Sequence, residues 1–170
     1  MQPEEAVFLR NYLVRQMEHE QVATRRVMAA VPEQHREYRP HGTARSALEL
    51  AWHLASCEIW YLEGVIHGRF DAEQERMPAH IRTVTGVAAW YDRNVPALMK
   101  EVQRLSPERL ACGVSLFGRN DCPAVTYLSD LLIHSAHHRG QLSVYVRAVG
   151  GRVPAVCGAS ADEPFQVAAR

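Results

Sequence analysis

Residues 4 to about 30 place apolar side chains at helical spacing, with Ala6, Leu9, Leu13, Met17, Val27 and Met28 marking one stripe and Glu4 and Glu5 at the end where a helix dipole favours acids. This predicts a first helix. Pro32 and the run Arg39-Pro40-His41-Gly42 then break the pattern, because proline cannot continue the hydrogen-bond ladder and glycine loses the most backbone entropy on ordering. Ser46 and Glu49 have the spacing of a capping box, with Thr43 an alternative cap, ahead of an apolar-rich segment from Leu48 to Val65 that ends near Gly68. That is a second helix. After a polar connection from Asp71 to His80, Val87, Trp90, Tyr91, Leu98 and Val102 predict a third helix over Thr83 to Leu105, kinked or interrupted at Pro96. Ser106 to Asp121, with Pro107, Gly113, Gly118 and Asn120, reads as loop with a short turn of helix. A fourth helix begins near Pro123, a residue suited to a first turn, and runs to Val149 before Gly150-Gly151. The remaining tail is expected along the surface. With no internal repeat, four long helices joined by moderate connections predict an all-α, up-down four-helix bundle forming a single domain over 1–170.

Composition narrows the function classes more than the fold. Lys plus Arg and Asp plus Glu both number 19, and neither sign collects into a block, so no electrostatic footprint for nucleic acid or an anionic membrane is present. Cys57, Cys112, Cys122 and Cys157 form no Cys-x-x-Cys pair and no disulfide framework, which reads as reduced thiols in a cytoplasmic protein. The N-terminus has no basic region followed by an apolar core, and no apolar run approaches the roughly 20 residues of a membrane span.

Chemistry concentrates in the fourth predicted helix, at His134-Ser135-Ala136-His137-His138-Arg139-Gly140-Gln141. Positions i and i+4 lie about 40° apart around a helix axis, so His134 and His138 aim at one point, with Asp130, Gln141 and Tyr145 on the same stripe. Such a stripe in the middle of a bundle is costly, since an unpaired buried polar group costs on the order of 1–3 kcal/mol. A metal ion satisfies the imidazoles, and neighbouring carboxylates or amides hold their remote ring N–H groups. His137 lies about 60° from His134 and is the weaker ligand. In the second helix His53, chosen over His19, His35, His41, His67 and His80 for its helix position, has Glu49, Cys57 and Trp60 on its face. Three neutral imidazoles from two helices suit Zn, Ni, Fe or Cu and leave positions open. Cys57 is a candidate fourth ligand or nucleophile, though a buried helical cysteine is more often a small hydrophobe. Trp60, Tyr61 and Trp90 read as core aromatics, Arg139 as the partner of a carboxylate such as Glu58 or Asp162, and Gly140 as a place where another backbone approaches. His-Glu-x-x-His, Glu-x-x-His, Gly-x-Gly-x-x-Gly and phosphate-loop motifs do not occur, which removes the common metalloproteases, carboxylate-bridged di-iron bundles and nucleotide binding.

The block Glu49-Leu50-Ala51-Trp52-His53 with Glu58, the run His134 to Gln141, Arg147-Ala148-Val149-Gly150 and the tail Ser160-Ala161-Asp162-Glu163 together resemble the DinB/YfiT-like family of small metal-binding four-helix bundles, over most of the chain. The resemblance implies a divalent metal on His53, His134 and His138. It also implies relatives that are thiol-dependent transferases or isomerases using a low-molecular-weight thiol, and it does not imply polymerase activity. The leading expectation is an enzyme that activates water or such a thiol against a small-molecule substrate. The alternatives are a non-catalytic stress-response or structural module stapled by its ion, and a plain helical interaction protein without metal. Helical faces left apolar would bury in a homodimer, a form bundles of this kind often take.

Overall fold

The computed structural model describes residues 1–70, 76–116 and 119–165; Asp71 of the expected polar connection and Gly118 of the expected loop lie outside them. Four long helices form the body: α1 (Pro3–Ala29), α2 (Ala47–His67), α3 (Val84–Arg104) and α5 (Tyr127–Ala148), with a single-turn α4 (Pro107–Ala111). Between α4 and α5 the chain makes an antiparallel hairpin, β1 (Gly113–Leu116) with β2 (Arg119–Pro123), where loop was expected. β1 alternates in the way a half-buried strand should, Val114 and Leu116 inward, but over only four residues. Pro123 therefore closes a strand instead of opening the last helix, and a 3-10 turn over Ala124–Thr126 leads into α5.

Each α2 and α3 start has a local cause. Ser46 Oγ accepts from Glu49 N–H at 3.2 Å while a Glu49 carboxylate oxygen accepts from Ser46 N–H at 2.9 Å, the reciprocal box expected from sequence. Thr83 caps α3 by accepting from Gly86 N–H at 3.0 Å, and α3 runs through Pro96 without interruption. α2 stops at Gly68, whose φ of +74° is the left-handed conformation that ends helices, and the chain turns back so that Phe70 lies over Gly64. A Cβ at Gly64 would stand 2.1 Å from the Phe70 ring, so only glycine permits this fold-back. Phe70 joins Trp60 and Tyr127 at 4.8 Å centroid separations to form an aromatic wall at this end of α2.

Contacts along the helices give their directions. Arg10 donates to Gln103 O at 2.8 Å and Arg25 pairs with Asp92 at 3.3 Å, so α3 runs opposite to α1. Glu20 pairs with Arg139 and Arg26 donates to Ala155 O at 3.0 Å, so α5 runs with α1. Tyr145 OH donates to Arg45 O at 3.3 Å while Tyr61 stacks near His134, so α2 runs opposite to α5. The bundle is all-α as expected, but the helices go up, down, down, up in chain order and not in the alternating order of an up-down bundle, since residues 68–83 are enough chain to return the length of a helix; α2, packed on both α3 and α5, is buried around most of its circumference. None of the helices in the described residues is long and apolar enough to cross a membrane.

The tail is pinned at the shared C-terminal end of α1 and α5. Asp162 pairs with Arg147 at 2.6 Å and accepts from Val153 N–H at 2.7 Å; Glu163 pairs with Arg26 and accepts from Ala155 N–H at 2.8 Å; Ser160 Oγ donates to Val153 O at 2.7 Å. Both carboxyls are held below the usual carboxylate range, Asp162 chiefly by Arg147 and Glu163 chiefly by the Ala155 amide. The Ser160-Ala161-Asp162-Glu163 run is therefore a clamp for the tail and lies away from the histidines.

Candidate metal centre

α5 buries Leu128, Leu131, Ser135, Arg139, Leu142 and Val146, a stripe at helical spacing. The histidine stripe is its neighbour, and His134 and His138 are half-buried at the edge of the α2–α5 seam instead of lying on the bundle axis. Across the seam α2 presents His53, also half-buried, and below it the buried Cys57. The three rings converge, with centroids 5.1 Å apart for His53 and His134, 4.5 Å for His53 and His138, and 4.3 Å for His134 and His138. His137 is exposed, its ring 4.8 Å from that of His138.

The nitrogens carry more information than the ring centres. His53 Nε2 and His138 Nε2 stand 3.1 Å apart. Two nitrogens bound to one ion at about 2.0–2.1 Å are about 2.9 Å apart at a right angle and about 3.35 Å apart at a tetrahedral angle, so this pair has the edge length of a coordination sphere. His138 Nδ1 lies 2.8 Å from Gln141 Oε1, which accepts a hydrogen bond from Nδ1–H and leaves the Nε2 lone pair facing inward. His134 Nδ1 is buried and has no hydrogen-bond partner among the described residues. Cys57 Sγ is 3.4 Å from His53 Nδ1, and His53, Cys57 and His134 each offer a ligand atom within 4.8 Å of the others. This donor set fits a divalent transition metal, with imidazole nitrogens for the borderline ions and a thiol that suits Zn.

The electrostatics favour the protonation state that ligation requires. Burial pushes the His134 ring down to about 3, and the positive charges that His138, His53, His137 and Arg45 would present push the same way. His138 is also lowered by burial, against the opposing hydrogen bond to Gln141. A neutral imidazole has a lone pair to give and needs no proton displaced.

Other residues singled out from sequence go elsewhere. Glu49 is committed to its cap and to a two-pronged pair with Arg39 at 2.7 and 2.8 Å, which holds its carboxyl below the usual range. Tyr145 stacks edge-on to Tyr38 at 5.7 Å, Trp60 packs against Phe70, and Asp130 is half-buried one turn before His134. Arg139 pairs with neither Glu58 nor Asp162: its guanidinium, 1% exposed, donates to the Glu20 carboxylate and to Thr24 Oγ1 at 3.3 Å. Glu58 is instead buried beside α3, where burial raises its carboxyl against the Tyr91 hydroxyl donating at 2.7 Å. A Cβ at Gly140 would meet nothing within 4 Å, so no backbone approaches it. Sequence reasoning missed the cleft beside His53, which brings Arg45 and Arg76 from segments outside the helices and has no local signal.

The family model for the DinB family matches residues 5–164. A DinB-like protein of Bacillus cereus, in its crystal structure, superposes with a TM-score of 0.71 at 22% identity, covering 85% of this chain and 95% of that one. The crystal structure of the DinB-like protein YjoA of Bacillus subtilis gives 0.66 at 22% identity, covering 82% and 92%. At sequence level the uncharacterized protein YjoA of Bacillus subtilis strain 168 is 24% identical over 127 residues, 75% of this chain and 82% of the relative. The chain belongs to the DinB family.

Proposed function

We propose that this DinB-family bundle is a divalent-metal-dependent enzyme in which His53, His134 and His138 hold the ion and the exposed edge of the site admits a small molecule. The convergence of three half-buried imidazoles beside an open cleft carries this reading. A bound ion supplies Lewis-acid chemistry, lowering the pKa of a water or of a low-molecular-weight thiol until it is a nucleophile near neutral pH. The chain's own residues prepare for this: burial keeps His134 neutral, Gln141 fixes the tautomer and aim of His138, and the α2–α5 seam fixes the distance between His53 and the pair. His53 also lines a cleft of about 350 Å³, which gives ligands a route to the site.

Metal quantification on purified protein and on His53→Ala, His134→Ala and His138→Ala tests the ligand set, with near-stoichiometric metal expected in the parent and loss in each variant. Rate measurements on loaded protein with cellular thiols and a panel of electrophiles and hydrolysable esters and amides then test the chemistry. Bound metal without any rate enhancement would refute the enzymatic reading.

A second reading has its own support. The grouping of His53, Cys57 and His134 suits a site in which the thiolate is a protein ligand and the ion staples the bundle. In Co(II)-substituted protein that arrangement gives strong sulfur-to-metal charge-transfer absorption that Cys57→Ser abolishes, and chelation unfolds the chain. The open three-histidine site shows neither.

A further inference from the structure

The cleft beside His53 is not neutral although the chain is. Arg45 and Arg76 stand on its wall, Trp52, Ser56 and Met77 complete it, and among the described residues neither guanidinium makes a contact ion pair or a hydrogen bond, Arg45 feeling Glu49 only at longer range. Its one carboxylate, Glu49, is neutralised by the two-pronged contact with Arg39. Four arginines elsewhere in the molecule are answered by carboxylates, Arg25 by Asp92, Arg26 by Glu163, Arg139 by Glu20 and Arg147 by Asp162; what sets Arg45 and Arg76 apart is that they share one cleft. Two unanswered planar cations facing a cleft with an indole and a thioether present the complement of an oxyanion carried on an apolar body, because guanidinium groups bind carboxylate and phosphate oxygens through paired N–H donors.

We infer that the ligand of this cleft is a small organic anion, its carboxylate or phosphate oxygens held by Arg45 and Arg76 and its apolar part laid on Trp52 and Met77, so that the far end reaches His53. This deepens the proposed function and rests on it only for the identity of the reacting end; anion capture by the arginines is independent of the metal.

Calorimetric titration of zinc-loaded and metal-free protein with phenylsuccinate, phenyl phosphate and the uncharged phenylsuccinamide tests it. Both anions are expected to bind at least about tenfold more tightly than the diamide, and whichever binds more tightly identifies the head group. Arg45→Gln and Arg76→Gln should each weaken anion binding about tenfold, and the pair about a hundredfold, with diamide binding and zinc content unchanged. Both arginines are on the surface, so circular dichroism should show the parent fold in each variant. Anion binding unaltered in the double variant, meaning the anion sits on the ion alone, overturns the inference, as does absence of anion selectivity in zinc-loaded protein. If the chain holds no zinc yet binds anions through the arginines, the metal reading fails and this one stands.

Discussion

Acidification should destabilise the metal-free protein through His134 in particular. The unfolded ring takes up its proton near pH 6.5 and the folded ring only near 3, so above 6.5 both states are neutral and nothing is lost. Between those values the unfolded state alone binds the proton, and stability falls as pH falls. At pH 4.5 the ring is two units below its unfolded value, which at about 1.4 kcal/mol per unit is at most about 2.7 kcal/mol. The ring is only half-buried and solvent screens part of this, which brings the expected loss to about 1.3 kcal/mol. For a chain of this length that is a fall in Tm of roughly 3–5 °C. The assay is thermal unfolding of metal-free protein at pH 7 and pH 4.5, in parallel with His134→Gln, whose side chain does not titrate. The drop in Tm between the two pH values should be smaller in the variant by that amount. An equal drop in both would show that His134 is protonated in the folded state near its ordinary pKa, and the case for a ring held ready as a neutral ligand would fail with it.

Three further outcomes follow from the packing. Gly140→Ala fills open space on an exposed helix position and should raise stability by about 1 kcal/mol without changing metal content, as read by thermal unfolding and elemental analysis. Glu20→Ala strands the buried Arg139 guanidinium and should cost about 3 kcal/mol in urea unfolding, more than Arg139→Met, which removes the charge and keeps most of the volume; the reverse order would contradict the pairing described. Gly64→Ala drives a methyl into the Phe70 ring and should cost about 1–3 kcal/mol, with a change in near-ultraviolet circular dichroism from the displaced aromatic wall.

The long helices were legible because their apolar positions recur at helical spacing and their starts have chemical punctuation: Ser46 with Glu49 opens α2, and Gly68 closes it. The hairpin was not, since four residues of alternation in β1 are too few to outweigh the Gly113 and Pro107 that mark the segment as loop. Pro123 has the chemistry of a first helical turn and equally that of a strand end, and only the pairing of Gly113 with Pro123 decides between them. Arg139 shows the same limit for charge: its partner, Glu20, is 119 positions away on α1, and nothing local distinguishes that carboxylate from Glu58 or Asp162. The position of His53 on α2 is legible, because a ring at mid-helix meets a paired histidine on another helix once the two helices are neighbours, and its ring stands 5.1 and 4.5 Å from those of His134 and His138.

Helical spacing alone puts the histidine stripe in the core, and its actual position one step around α5 bears on function. The core stripe of α5 tolerates Arg139 because α1 supplies Glu20 and Thr24 to the guanidinium, so that charge needs no ion. The histidines lie outside that stripe, where burial is deep enough to strip His134 of its proton but the neighbouring wall of α2 still opens onto the cleft at His53. An ion on the bundle axis would be surrounded by helices and reach solvent only through a channel between them. An ion at the edge of the α2–α5 seam would be held by rigid helices on one side and face solvent and the arginine-lined cleft on the other, which is the placement that ligand exchange at a metal centre requires.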